Sequence, residues 1–167
     1  MTLARLVMTV GHVGRLRPAS GTWGSLAALP LAWGLHAAGG PWLLALACPL
    51  VFALGLQAVA QETAGDADPD RSEIVVDEVV GQWIALLPVS AGAAIAGADV
   101  LALWPGIVAA FLGFRFFDIV KVWPASVLDR RKDPMGVMAD DVIAGLYAAL
   151  LVAALAALAH LWLLGAG

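Results

Sequence analysis

Five apolar stretches govern what this chain can become. They run over roughly residues 22–38, 41–60, 79–98, 100–117 and 142–164. A helix that crosses the hydrocarbon of a bilayer needs about 20 mostly apolar residues. In that solvent only helices and closed barrels satisfy their own backbone. The second, third and fifth stretches are long enough without further argument. The first is short and carries Pro30, so it is expected to tilt or re-enter, and the fourth is interrupted near its end by Arg115. Gly39-Gly40-Pro41 and Gly97 to Asp99 read as tight connections. The expected architecture is all-α: one domain, residues 1–167, forming a polytopic membrane helical bundle of about five transmembrane or re-entrant helices. The composition agrees, with 62% hydrophobic and 13% charged residues, where a soluble domain is about half apolar and about a quarter charged. The lone Cys48 excludes an intrachain disulfide. The start, MTLARLVMTVGHVGRLRP, lacks a continuous apolar core and is read as mature protein, not as a signal peptide.

Charge then sets orientation. All nine Lys and Arg fall in the N-terminal segment, the 61–78 loop, or the 115–141 region. With five spans these places share one side, and the positive-inside rule makes that side cytoplasmic. Trp23, Trp83 and Trp123 are expected in an aromatic belt on that face, and Trp42, Trp104 and Trp162 on the other. Twelve of the thirteen acids also lie on the basic side. The positive-inside rule does not ask for this, so the acids need a separate reason.

Asp77 and Glu78 open the third span, Asp118 ends the fourth, and Asp140 and Asp141 open the fifth. The segments VVDEVVG and MADDVIAG echo each other: an acidic pair, β-branched apolar residues, then Gly. Carboxylates brought to one depth are the hard oxygen ligands that Mg²⁺ prefers. Acids also favour helix N-termini as caps and partners of the helix dipole. Capping leaves Asp118 unexplained, because it sits at a helix end of the wrong polarity. Neighbours in a helix point about 100° apart, so each adjacent pair is expected to give one ligand and one cap or supporting group. Glu73 and Asp77 would share a face if that helix begins early.

SGTWGS, residues 20–25, precedes the first span and offers hydroxyls and free N–H groups to an anion. Arg115, inside a span end, must pair with a carboxylate or a phosphate. Lys121 follows Asp118 by three residues, and the Arg130–Lys132 cluster suits lipid headgroups. Cys48 lies mid-span and cannot be a phosphatase nucleophile. No CX5R loop or histidine phosphatase triad is visible, and DADPD does not follow a β-strand as an aspartyl-phosphate phosphatase requires; by elimination, phosphate chemistry here would use metal-activated water.

SGTWGS, EIVVDEVVG, FRFFDIVKVWP, LDRR and GVMADDVIAG occur in the order and spacing found in the phosphatidylglycerophosphatase A family, which the chain resembles from about Gly11 to Tyr147. Ser20 and Val122 stand where that family usually has Pro. The resemblance implies a Mg²⁺-dependent phosphatase of the bacterial inner membrane, multi-pass, with its site facing the cytoplasm. Such an enzyme converts phosphatidylglycerophosphate to phosphatidylglycerol. It implies metal ligation by Asp77, Glu78, Asp118, Asp140 and Asp141, with Asp77, Asp118 and Asp141 catalytic. Thr22, Ser25, Arg115 and Lys121 are implied on the phosphate side. The implied partners are the lipid substrate and the membrane; no nucleic acid is expected, and a homo-oligomer is left open. The alternative is a small cation-binding membrane protein, a transporter or channel subunit with an acidic vestibule. The nearly unbroken apolar span centres argue against it. The DG…AR…G…D…D pattern of a CDP-alcohol transferase is absent.

Overall fold

The computed structural model describes residues 2–67 and 69–165, with side chains described as far as Trp162. Among these residues every regular element is helical: α1 (Leu3–Met8), α2 (Ser20–Glu62), α3 (Val76–Ala96), α4 (Trp104–Val120), α5 (Ala125–Asp129) and α6 (Pro134–Gly165). Short 3₁₀ turns cover Val13–Arg15 and Val100–Leu103. Four helices, α2, α3, α6 and α4 with its preceding turn, are long and apolar enough to cross a membrane.

α2 is two arms. Gly39 and Gly40 leave helical geometry, Gly40 at φ 63°, which glycine adopts without a side-chain clash. Pro41 follows and suits the first turn of the next arm. Gly24 packs against Val75, and Gly55 against Val76. A straight helix would hold Gly24 and Gly55 about 46 Å apart, so the chain has folded back on itself at the glycines. The expected Gly-Gly-Pro connection is therefore present. Pro30 does not interrupt the first arm: the only non-helical residues inside α2 are Gly39 and Gly40. Counting both arms gives five long helical segments, as the apolar stretches require.

α3 is the hub. It packs against both α2 and α6 and touches α4, and Val79, Val80, Ala85, Val89 and Ala93 on it are buried. The outer helices leave large side chains bare, including Leu46, Leu54, Leu112, Leu150 and Leu158. Helices apolar all round belong in lipid. Close approaches fix the directions. Phe114 and Val89 of α4 and α3 meet Gly81 and Gly106 respectively, so these helices run antiparallel. Gly145 meets Gly81, and α6 runs parallel to α3.

One expectation about tryptophan fails. Trp83 is 6% exposed, and its indole N–H donates to the Ala28 carbonyl at 3.0 Å. Its polar atom finds a partner inside the bundle, so it is a core residue tying α3 to the first arm. Trp23 and Trp123 at one end, and Trp42, Trp104 and Trp162, are exposed as expected.

Candidate active site

The site is built where α3 and α6 start side by side. Asp77 is followed four residues later by Gly81, and Asp141 by Gly145. Residues four apart share a helix face. A methyl group at Gly145 would come within 3.0 Å of the Gly81 Cα, and one at Gly81 within 2.6 Å of the Asp141 carbonyl oxygen. The two glycines therefore let the backbones touch, and one turn above them the two aspartates are brought together. The echo between VVDEVVG and MADDVIAG is thus one device used twice in register. Oxygens of Asp77, Glu78 and Asp141 lie within 4.8 Å of one another. Both members of the 77–78 pair face the same point, against the expectation from the 100° spacing. The longer Glu78 side chain makes up the angle. Its Oε2 is buried without a hydrogen-bond partner.

Capping does not account for these acids. α6 begins at Pro134, well before Asp140, and its start is capped by Asp133, whose Oδ1 accepts from Gly136 N at 2.7 Å. Arg131 and that amide hold the Asp133 carboxyl below the usual carboxylate range. The expectation that Asp140 and Asp141 open the helix is corrected accordingly: they lie in its second turn, buried, at 5% and 3% exposure. Asp77 does sit in the first turn of α3, where it accepts from Glu78 N at 2.9 Å. Glu73 lies before that helix and pairs with Arg5 and Arg15 instead of sharing a face with Asp77.

The five carboxylates divide into two sets. Asp118 gives Oδ2 to Arg115 at 2.8 Å and Oδ1 to Lys121 at 2.9 Å. Lys121 also reaches Asp140 at 2.5 Å. Asp118 and Asp140 are thereby matched by protein cations. Asp77 and Glu78 have no cation among the described residues, and Asp141 has only Lys121 at 3.6 Å. Burial alone would push the Lys121 pKa down; Asp141, Asp118 and Asp140 outweigh it and hold the ammonium well above the ordinary lysine value. Lys121 stands just past the end of α4, in a left-handed conformation (φ 51°). It links the acids of α4 and α6 and makes no ion pair with those of α3.

A polar cavity of about 130 Å³ opens over this cluster, lined by Asp77, Glu78, Asp118, Lys121, Asp140 and Asp141. Ser20, Asp70, Arg71, Ser72, Asp129 and Arg131 also line it, with Ile74 and Val137 as its apolar walls. Three of the four residues expected on the phosphate side do not line it. Thr22 is not part of its walls, and Ser25 is buried with its hydroxyl donating to Gly21 O. Arg115 stands behind Asp118, its Nη1 3.5 Å from Ser25 Oγ. SGTWGS is the first turns of α2, not a loop before it. Arg131, expected only at lipid headgroups, lines the cavity, as does Arg71, which sequence reasoning left without a role. Only their loop positions beside the acidic segments could have pointed to them.

Fold and site together define a membrane helical bundle with a buried carboxylate cluster under a polar cavity at one end. The profile of the phosphatidylglycerophosphatase A family matches residues 6–156. The phosphatidylglycerophosphatase A of Haemophilus influenzae is 38% identical over 143 residues, covering 85% of this chain and 82% of that protein. That of Escherichia coli is 33% identical over 162 residues, covering 95% and 86%. No solved structure matches the chain. The chain belongs to the phosphatidylglycerophosphatase A family.

Proposed function

We propose that the protein is a lipid phosphatase that hydrolyses the terminal phosphomonoester of phosphatidylglycerophosphate. The products are phosphatidylglycerol and phosphate, and the reaction runs on the cytoplasmic face of the bacterial inner membrane with Mg²⁺. Family membership and the printed activity of both relatives support the substrate. All the basic residues lie in segments at the site's end of the bundle, which supports the orientation.

The observation that carries the metal is the convergence of Asp77, Glu78 and Asp141 within 4.8 Å. The donors are all hard oxygens, and Glu78 Oε2 is buried and unpartnered. Such a set fits Mg²⁺, and without a cation it would repel a phosphomonoester. Asp77, Glu78 and Asp141 would hold the ion. When bound it supplies charge compensation to the phosphoryl oxygens and acidifies a water.

The chain's own groups do the rest. Lys121 holds Asp118 and Asp140 in place and keeps one positive charge at the cavity floor. Arg115 fixes Asp118 from behind. Asp141, which faces both the acidic cluster and Lys121, is the carboxylate placed to receive a proton from the attacking water. The water oxygen bonds to phosphorus as the bond to the glycerol oxygen breaks, and the proton passes to that oxygen. The acyl chains remain in lipid beside the exposed leucines.

The test is phosphate release from phosphatidylglycerophosphate by the purified protein in mixed micelles. Release is expected with Mg²⁺, lost with EDTA and restored by excess Mg²⁺. Release that ignores chelation would remove the metal; no release under any condition would remove the activity.

A further inference from the structure

The lipid that this site is proposed to hydrolyse carries two phosphates: the terminal monoester and the diester that joins glycerol to diacylglycerol. The carboxylate cluster can serve only one of them. The second anion needs donors of its own at the mouth of the same cavity.

Two arginines stand there, one on each flanking loop. Arg71 lies between α2 and α3, and Arg131 between α5 and α6; both line the cavity. They are held in the same way. Arg71 donates Nε and Nη2 to a single oxygen, Asp66 Oδ2, at 2.9 and 2.5 Å. Arg131 donates Nε and Nη2 to Asp133 Oδ2 at 3.1 and 2.7 Å. In each case one edge of the guanidinium fork is fixed, and the Nη1 edge is not part of that grip. Asp66 and Asp133 do not line the cavity. Each aspartate therefore fixes one edge of an arginine that borders the cavity. Asp70 and Asp129 share the rim, and Asp129 is turned toward Lys121 at 3.8 Å.

We infer that Arg71 and Arg131 form a second anion subsite at the cavity rim, which takes the phosphodiester of the lipid while the carboxylate cluster below handles the terminal monoester. This rests on the reading of the site given above. A planar fork held at one edge is suited to a phosphodiester, whose charge is shared over two oxygens. The placement also sets the order of the substrate in the site: diester at the mouth, monoester at the floor, acyl chains outside. A lipid carrying a single phosphate would engage one subsite only.

Two inhibitors separate the subsites. Phosphatidylglycerol retains the diester and lacks the monoester; inorganic phosphate mimics only the monoester. Initial rates on phosphatidylglycerophosphate in mixed micelles are measured against each, for wild type, Arg71→Gln, Arg131→Gln and the double variant. The double variant is expected to weaken inhibition by phosphatidylglycerol by at least about tenfold, the size of one lost charge-assisted contact. Inhibition by inorganic phosphate should change less than about twofold on the same scale. Arg130→Gln, on an exposed residue that does not line the cavity, should leave both inhibitors unchanged. Should the Gln variants not fold, the Arg71→Lys, Arg131→Lys pair keeps the loop charge and removes the fork. It should still weaken phosphatidylglycerol selectively. Equal weakening of both inhibitors, or of neither, overturns the subsite, as does a wild type that phosphatidylglycerol does not inhibit. An anionic lipid without any phosphate, such as oleate, inhibiting as well as phosphatidylglycerol, and relieved equally in the variants, would reduce the arginines to a general anionic-lipid contact and also overturn it. A wild type inactive on phosphatidylglycerophosphate would instead refute the proposed function.

Discussion

Removing a charge from the metal-free cluster should make the protein more stable while destroying its activity. Asp141→Asn is the informative change. With all groups ionised, Asp141 faces Asp77 and Glu78 at no more than 4.8 Å. At an effective dielectric of about 20, each of those repulsions is worth about 3.5 kcal/mol. Asp118 and Asp140 add to the repulsion; against it stands one attraction, to Lys121 at 3.6 Å, worth about 4.6 kcal/mol on the same scale. Lys121 retains Asp118 and Asp140 as partners, so it is not stranded by the change. The two repulsions outweigh the one attraction by about 2 kcal/mol, and the asparagine keeps the shape of the side chain. In EDTA the variant should therefore unfold at higher temperature or denaturant than wild type. Adding Mg²⁺ should raise the wild-type transition strongly, because the ion binds only the folded state, and should raise the variant little. Phosphatase activity should fall by at least about 100-fold, since a charged ligand and the proposed proton acceptor go together. Thermal unfolding in detergent with and without Mg²⁺ reads all of this. A variant less stable than wild type in EDTA, yet equally stabilised by Mg²⁺, would refute the reasoning.

Asp133→Asn should be nearly silent in stability and Mg²⁺ dependence, since Asn caps a helix about as well as Asp; Asp140→Asn should weaken the Lys121 pair and raise the Mg²⁺ requirement, and paired titrations of activity against Mg²⁺ distinguish them. Gly145→Ala should push α6 from α3 and cost Mg²⁺ binding as well as stability, because the added methyl would come within 2.4 Å of the Gly81 carbonyl oxygen; overpacking of this kind costs about 1–3 kcal/mol, read by unfolding with and without Mg²⁺. In a Cys48→Ala background, cysteines placed at Asp129 and Asp99 should label from opposite sides of the membrane; labelling from one side would break the five-segment topology.

Apolar length and punctuation made most of the fold legible. The Gly-Gly-Pro step turns the chain because Gly40 takes a positive φ that other residues resist. The acidic cluster was legible too, since unpaired acids at the edge of lipid require a reason. Hydropathy marks where a chain enters an apolar environment, not where its backbone becomes helical, and so α6 was expected to start too late. Asp133, beside Pro134, carried the capping signal for the true start. Trp83 was misplaced because an indole is equally at home at an interface or in a core with a carbonyl partner. Which acids are matched by Lys121, and which cavity-facing groups come from the Arg71 and Arg131 loops, depends on helices distant in sequence meeting. The echo of residues 77–81 in 141–145 was visible; its use, glycine contact below and aspartate contact above, needed the parallel packing of α3 and α6.

The structure also bears on the alternative of a cation pathway. An ion leaving Asp77, Glu78 and Asp141 for the far side would pass along α3. One turn on it meets Gln82, fully buried, whose amide atoms have no hydrogen-bond partner among the described residues. Beyond lies a cavity of about 360 Å³ whose walls include Leu29, Trp33, Leu86, Val89 and Ile107. Its polar feature is a hydrogen bond of 2.6 Å between His36 and Ser90; no carboxylate lines it. A divalent ion entering that space would give up its carboxylate ligands and gain nothing comparable, at a desolvation cost of many kcal/mol. The carboxylates thus close the polar cavity at its floor, as a binding site requires and a conduction path forbids. If Gln82→Leu leaves Mg²⁺-dependent phosphatase activity within about twofold and vesicles holding the wild-type protein stay tight to Mg²⁺, the cluster is a terminus. Mg²⁺ flux through those vesicles, reduced by the same substitution, would establish the opposite.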